Sequence, residues 1–236
     1  MPKLSAMMIV HNEAERYLNT CLKSLSNYVD EIIILDDAST DETADICLRF
    51  PIVRLFRQYI NGFLVDESLL RRKLWDYCAE NDPEWILAID ADELFEPAAI
   101  HEFPYLIKQT EFNAISFRLF DCWGCEEYYR ADGFWNPWKH GFAIYMIRYL
   151  PLLDPSWPDL PYHCGRIPLA YRNLPHYECD LRLKHLGWAD PKDIKAKYLR
   201  SVSRDPANRY LCREHNESII CPPEKIILEK WNEQIT

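Results

Sequence analysis

Three apolar runs alternate with helix-like segments in the first 56 residues, and this alternation restricts the possible folds more than any other feature of the chain. Lys3 to Val10 (KLSAMMIV) and Glu31 to Leu35 (EIIIL) read as buried strands, and Ile52 to Phe56 (IVRLF) as a third strand. Between the first two, Leu18, Cys21, Leu22 and Leu25 recur at helical spacing within Ala14 to Tyr28. Between the second and third, Ser39-x-x-Glu42 is the reciprocal capping pattern of a helix start, and Glu42 to Phe50 continues it. Strand, helix, strand, helix, strand is the signature of a parallel sheet covered by helices, with right-handed crossovers. A further helix, Ser68 to Glu80, leads into a fourth apolar run, Trp85 to Ile89. The fold class is therefore α/β, with a mixed, mostly parallel sheet flanked by helices.

Parallel strands point one way, so the residues that follow them gather along one edge, where open α/β sheets bind ligands. Here those residues are acidic: Asn12-Glu13, Asp36-Asp37, and Asp90-Ala91-Asp92-Glu93. Side chains at i and i+2 of a strand share a face, so Asp90 and Asp92 are expected to converge just beyond it. Two carboxylates meeting there suit Mg²⁺ or Mn²⁺. Each acid also has a plainer explanation. Asp90 and Asp92 can belong to a solvated helix start, Asp37 can initiate a helix, and Glu13 can stabilise a helix N-terminus from its first turn.

Composition narrows the partners. The net charge is −10 with no basic block, which argues against a nucleic-acid surface. With six Gly in 236 residues and no glycine-rich phosphate motif, a phosphate ligand must be held by a metal and by cations such as Arg71-Arg72-Lys73. No run approaches the ~20 apolar residues of a membrane span, and the N-terminus is too strand-like for a signal peptide. Nine scattered Cys are expected to be reduced thiols of a cytoplasmic protein. Cys122 and Cys125 have no second such pair beside them, and zinc would need four ligands.

The second half changes character. Pro97 to Lys108 reads as a helix, Asn113 to Trp123 as an antiparallel strand, and 142 to 150 as a strand. Cys122 to His185 is rich in Trp, Tyr and Pro, suited either to a loop-rich core or to a pocket for a cyclic ligand. Residues 181 to 188 (LRLKHLGW) form a short strand. Lys192 to Ser203 is a helix bearing Lys195, Lys197 and Arg200, and Glu224 to Glu233 is a last amphipathic helix. No linker or repeat interrupts the chain. One domain is expected over 1–236, with a nucleotide-binding half (1–100) and an acceptor-binding half (101–236).

The motifs I-V-H-N-E, E-I-I-I-L-D-D-A-S-T-D and W-I-L-A-I-D-A-D-E, in this order, resemble the family 2 glycosyltransferases of the GT-A fold, a Rossmann-like nucleotide-diphospho-sugar transferase architecture. K-H-L-G-W, followed by basic residues, resembles one bacterial branch of that family. The resemblance implies a metal-dependent, inverting transfer of a sugar from a nucleoside-diphosphate sugar, with uridine the family-level base, to an acceptor hydroxyl of a polysaccharide or glycoconjugate. It implies that Val10, His11, Asn12 and Glu13 line the nucleotide pocket and that Asp37 accepts from the base. Asp90, Ala91 and Asp92 form the D-x-D element that binds Mn²⁺ or Mg²⁺, with Asp92 the direct ligand. Arg72 matches the arginine of the preceding helix, and His185 completes the metal coordination, although as a residue type it can equally be a core histidine. The single general base comes from the second half; Asp132, isolated among aromatics, is the candidate, while Glu126, Glu127, Asp159 and Asp180 also qualify by type. A sugar nucleotidyltransferase and a non-catalytic carbohydrate-binding protein of the same fold are the alternatives, the first disfavoured by the missing glycine-rich loop.

Overall fold

The computed structural model describes residues 2–232. Its elements run β1 (Leu4–Val10), α1 (Leu18–Leu25), β2 (Glu31–Asp37), α2 (Thr43–Cys47), β3 (Val53–Gln58), α3 (Gly62–Val65), α4 (Glu67–Ala79), β4 (Trp85–Ala88), β5 (Glu93–Phe95), α5 (Ala99–Leu106) and β6 (Ala114–Trp123). There follow β7 (Tyr128–Arg130), α6 (Pro137–His140), β8 (Ala143–Arg148), β9 (His176–Trp188), α7 (Pro191–Arg204), α8 (Arg213–Ile219) and β10 (Leu228–Lys230).

As the alternation requires, β3, β2, β1 and β4 lie side by side and parallel. All residues of β2 and β4 are buried, which is why their sequences are continuous apolar runs rather than alternating ones. α1 turns Leu18, Cys21, Leu22 and Leu25 onto the sheet. Because β1 lies between β2 and β4, the strand order reverses beside it. The crevice beyond the carboxyl ends of β1 and β4 is thus a topological switch point.

The second half extends the same sheet. β8 pairs antiparallel with β4, and β6 antiparallel with β8, as expected of Asn113 to Trp123. The same β6 also runs parallel to β9, and β9 antiparallel to β5. β9 spans 13 residues, starting five before the expected strand, because its first segment, HYECD, is mostly exposed and carries no apolar signature. These registers place His185 opposite both Glu93 and Asp121. A residue 92 positions downstream is thereby brought to the acidic turn by backbone pairing alone.

The tail differs from the expectation. Within 224–232 the chain forms a 3₁₀ turn (Pro223–Lys225) and then β10, not a helix; Glu233 lies outside the described residues. Pro222-Pro223 fixes the entry, and the β-branched Ile226-Ile227 favours extended backbone. β10 pairs with β7, and Trp231 packs against Phe120 beneath the Arg182 guanidinium, 4.1 Å from its ring centre. Tertiary pairing outweighs the helical spacing. All nine cysteines are unpaired, and no described helix is long and apolar enough to cross a membrane.

Candidate active site

β4 ends at Ala88, and the chain turns through Ala91-Asp92, so the pleat has stopped before the first acid. Asp90 and Asp92 therefore lie in a turn rather than on one face of a strand, close enough for each charge to act on the other but with different nearest cations. Asp90 faces two guanidinium groups, Arg166 Nη2 at 3.4 Å and Arg71 Nη1 at 3.7 Å. Asp92 Oδ2 instead faces Lys197 Nζ at 3.3 Å, His185 Nε2 at 3.6 Å and Arg16 Nη2 at 3.7 Å. Burial pushes both carboxyls up. The surrounding charges outweigh it, His185 and Lys197 first among them at Asp92, and hold that carboxyl well below the usual range.

His185 is oriented from behind. Its Nδ1 is 2.6 Å from Asp121 Oδ1, leaving Nε2 to face Asp92. A histidine fixed by a carboxylate on one nitrogen, with the other turned to a second acid, can ligate a metal once Nε2 gives up its proton. Burial lowers its pKa, but Asp92 and the Asp121 hydrogen bond lift it to about 10. Asp121 was passed over in the sequence, yet it too is an acid near the end of a buried strand, the signal that marked the other three sites. Among the described residues no third carboxylate, imidazole or thiol joins Asp92 and His185 to form a cluster able to hold a metal alone. Two protein donors fit Mg²⁺ or Mn²⁺ when phosphate oxygens and water complete the shell. Arg71 Nε is buried beside the crevice without a hydrogen-bond partner, while Glu13 Oε2 and Arg16 Nε, buried there too, meet only each other, as an ion pair at 3.4 Å. Such orphans are costly, and an oxygen-rich ligand with its own hydroxyls and anions supplies partners. Burial, opposed mainly by Arg16, pushes the Glu13 carboxyl up to about 7.

Gly187 makes room for the constellation. A Cβ there would fall 2.5 Å from Asp92 Oδ2 and from His185 Nε2, and against Lys197 Nζ. Gly187→Ala is therefore expected to keep the fold and to slow any reaction served by these groups about a hundred-fold by displacing them, since ångström misplacements carry costs of that order. Steady-state kinetics on the variant check it.

The β1–α1 and β2–α2 loops are stitched together. Asn12 N donates to Ser39 Oγ at 3.0 Å, Thr40 N to Asn12 Oδ1 at 2.8 Å, and Glu13 N to Thr43 Oγ1 at 2.7 Å. Asn12 (φ 52°) and Ala38 (φ 62°) both take left-handed backbone, uncommon for Ala and the kind of strain that gathers at ligand loops. Val10 and Ala91 are buried, while His11 and Asn12 are exposed at the mouth, with His11 Nδ1 2.6 Å from the Asp37 carbonyl.

Three expectations meet a different geometry. Asp37 is fully enclosed: its carboxylate accepts from Gly62 N at 2.6 Å, Phe63 N at 2.9 Å and the Gln58 amide, anchoring α3 rather than standing open to a base. On α4, Arg71 faces Asp90, whereas Arg72 is exposed, its Nη2 3.5 Å from the Trp157 carbonyl; the register is one residue earlier than expected. Asp132 is bound on both oxygens by the buried Arg130 at 2.8 and 2.9 Å and accepts from Ile227 N. Burial raises its pKa, but Arg130 outweighs this and lowers it, so Asp132 is a poor proton acceptor. Glu126, Glu127, Asp159 and Asp180 are all exposed.

A lowered carboxyl pKa stabilises the fold above the usual carboxylate range, and that contribution is lost as acid protonates the group. Asp132→Asn is thus expected to lower Tm at pH 7, to flatten the acid limb of the stability profile, and to leave any reaction at the switch crevice within about two-fold. Melts from pH 3 to 7 and a rate assay read all three.

The pattern described as glycosyl transferase family 2 matches residues 5–165. The SPbeta prophage-derived glycosyltransferase SunS of Bacillus subtilis is 34% identical over 116 residues, covering 48% of this chain and 26% of that protein. An uncharacterized protein of Mycobacterium tuberculosis is 35% identical over 223 residues, covering 88% of this chain and 52% of its own length. The chain thus spans about a quarter to a half of these curated relatives. Among solved structures, S. aureus TarS superposes with a TM-score of 0.54 at 16% identity, over 92% of this chain and 42% of TarS. Its fragment 1–349 in complex with UDP-GlcNAc gives 0.53 at 16% identity, over 92% and 70%. This likeness is one of fold, GT-A in kind. A family match over most of the chain, the GT-A sheet and acid-bearing strand ends at the switch crevice together place this chain in glycosyl transferase family 2.

Proposed function

We propose that the chain transfers a sugar from a nucleoside-diphosphate sugar, uridine-linked, to an acceptor hydroxyl with inversion, using Mn²⁺ or Mg²⁺ held by Asp92 and His185. The observation that carries this is the line Asp92–His185–Asp121 at the switch crevice, ringed by Arg16, Lys197, Arg71 and Arg166. A bound divalent ion would supply Lewis-acid stabilisation of the diphosphate as it departs. Asp121 holds the imidazole so that Nε2 stays aimed at the seat. Arg71 and Arg166 hold Asp90 in place and balance it together with Glu67 and Glu93. Glu13, half-buried beside Arg16, tunes the positive charge on the β1 side. Preorganised cations of this kind act on charge that grows in the transition state. The proton of the attacking hydroxyl must pass to a general base, and Asp132, held on both oxygens by Arg130, is not that base.

Incubating the protein with a panel of UDP-, GDP- and dTDP-sugars and Mn²⁺ tests the reading. Slow release of nucleoside diphosphate from a UDP-sugar, abolished by EDTA and by His185→Ala, is the expected result. Release of pyrophosphate from a nucleoside triphosphate and a sugar phosphate would instead make it a nucleotidyltransferase. No turnover and no binding of any sugar nucleotide would leave a sugar-binding protein.

A further inference from the structure

We infer that Lys197 is a tethered cation that occupies the Asp92–His185 seat until a divalent ion arrives. The inference rests on the metal reading above and adds an order to it: the ion enters a seat that the protein itself has filled. Of the basic residues on α7, Lys195 and Arg200 are exposed, whereas the Lys197 side chain is 13% exposed and turned inward. Its Nζ lies 3.3 Å from Asp92 Oδ2 and 4.8 Å from the centre of the Trp188 ring. The point a Gly187 Cβ would occupy is 2.5 Å from Asp92 Oδ2, 2.5 Å from His185 Nε2 and against the same Nζ. The ammonium therefore shares one small space with the two donor atoms.

The helix is held to deliver it. Asp190 caps α7, and Asp193, one turn before Lys197 on the same face, pairs with Arg16 at 3.1 Å. Arg16 in turn approaches Asp92 at 3.7 Å. With Lys197 in place, Asp92 is neutralised without any metal. An ammonium and a divalent cation repel one another and compete for one oxygen, so the ion must eject the lysine. A nucleoside diphosphate favours that exchange, because its phosphate oxygens give the ejected ammonium a new partner. Metal binding to the free protein is accordingly weak and is strengthened by the diphosphate.

Mn²⁺ binding to the whole chain, read from the free-ion EPR signal with and without UDP, tests this in wild type, Lys197→Met and Lys197→Gln. Wild type is expected to bind Mn²⁺ at least ten-fold more tightly with UDP than without. Each variant is expected to bind Mn²⁺ alone at least ten-fold more tightly than wild type and to gain less from UDP. Adding Asp92→Asn to either variant should remove this binding. Variants that bind Mn²⁺ alone no better than wild type, while UDP still strengthens wild type, would overturn the lysine's role and leave the metal reading standing. Tight binding that survives Asp92→Asn would overturn it as well, by placing the ion elsewhere. If no form binds Mn²⁺ even with UDP, the metal reading fails and takes this inference with it. A thermal melt of each variant confirms that a folded protein is compared.

Discussion

Asp92→Asn is expected to cut sugar-nucleotide turnover by a thousand-fold or more while the chain stays folded. Asparagine keeps the shape but removes the charge that Lys197, His185 and Arg16 all face. Losing one preorganised electrostatic partner in such sites costs roughly a hundred- to a thousand-fold in rate, and on the proposed metal reading the carboxylate that would anchor the ion goes too. Asp90→Asn provides the contrast. Asp90 is held between Arg71 and Arg166, so its loss should act mainly through donor KM and by about ten-fold. Equal loss in both variants would mean that the two acids act as one metal clamp, as strand alternation alone suggests. Steady-state rates with one UDP-sugar and Mn²⁺ separate these outcomes.

Arg166→Met carries the largest expected effect on stability. Glu93 is 1% exposed, and Arg166 meets it with two hydrogen bonds, at 2.7 and 2.9 Å. Glu93 Oε2 also accepts from Asp90 N at 2.8 Å, so this pair props the acidic turn from beneath. Removing one partner of a buried ion pair costs about 3–5 kcal/mol. Arg166 keeps some solvent contact, so the low end applies, about 3 kcal/mol or roughly 6–12 °C in Tm. The penalty should depend on pH. Burial already pushes the Glu93 carboxyl up against the pull of Arg166, and without that arginine it rises further. A raised carboxyl pKa favours the fold at low pH and disfavours it as pH climbs through the folded value. The defect should therefore be smallest near pH 5 and largest at pH 8. Glu93→Gln combined with Arg166→Met, which removes both charges, should recover most of the loss. Melts of the four proteins form the cycle; additivity would deny the pair its role.

The regular half was legible because parallel strands buried on both faces must be apolar runs, and those runs name their own ends. The parallel strands and their acid-bearing carboxyl edge follow from that grammar, whereas the order β3-β2-β1-β4, which sets the switch crevice, is fixed by tertiary pairing. His185 was legible only through its resemblance to K-H-L-G-W, since 92 residues separate it from Glu93 and the pairing that joins them is tertiary. Asp121 and Arg166 were missed for different reasons. Asp121 lies near the end of a run read as an antiparallel strand, outside the parallel set whose ends were searched for acids, and Arg166 sits in an irregular stretch with no periodicity to place it. The fate of Asp37 turned on α3, a four-residue helix too short to leave a pattern, whose backbone N–H groups close over the carboxylate. Arg71 and Arg72 lie 100° apart around a helix, and a sequence does not say which one looks inward.

Anomalous scattering at the manganese edge, from crystals soaked with Mn²⁺ and UDP, tests the central assignment most directly. A single strong peak within coordination distance of Asp92 and His185, with the diphosphate against it, is the predicted result. A peak elsewhere, or ordered UDP with no manganese between those two side chains, would contradict it.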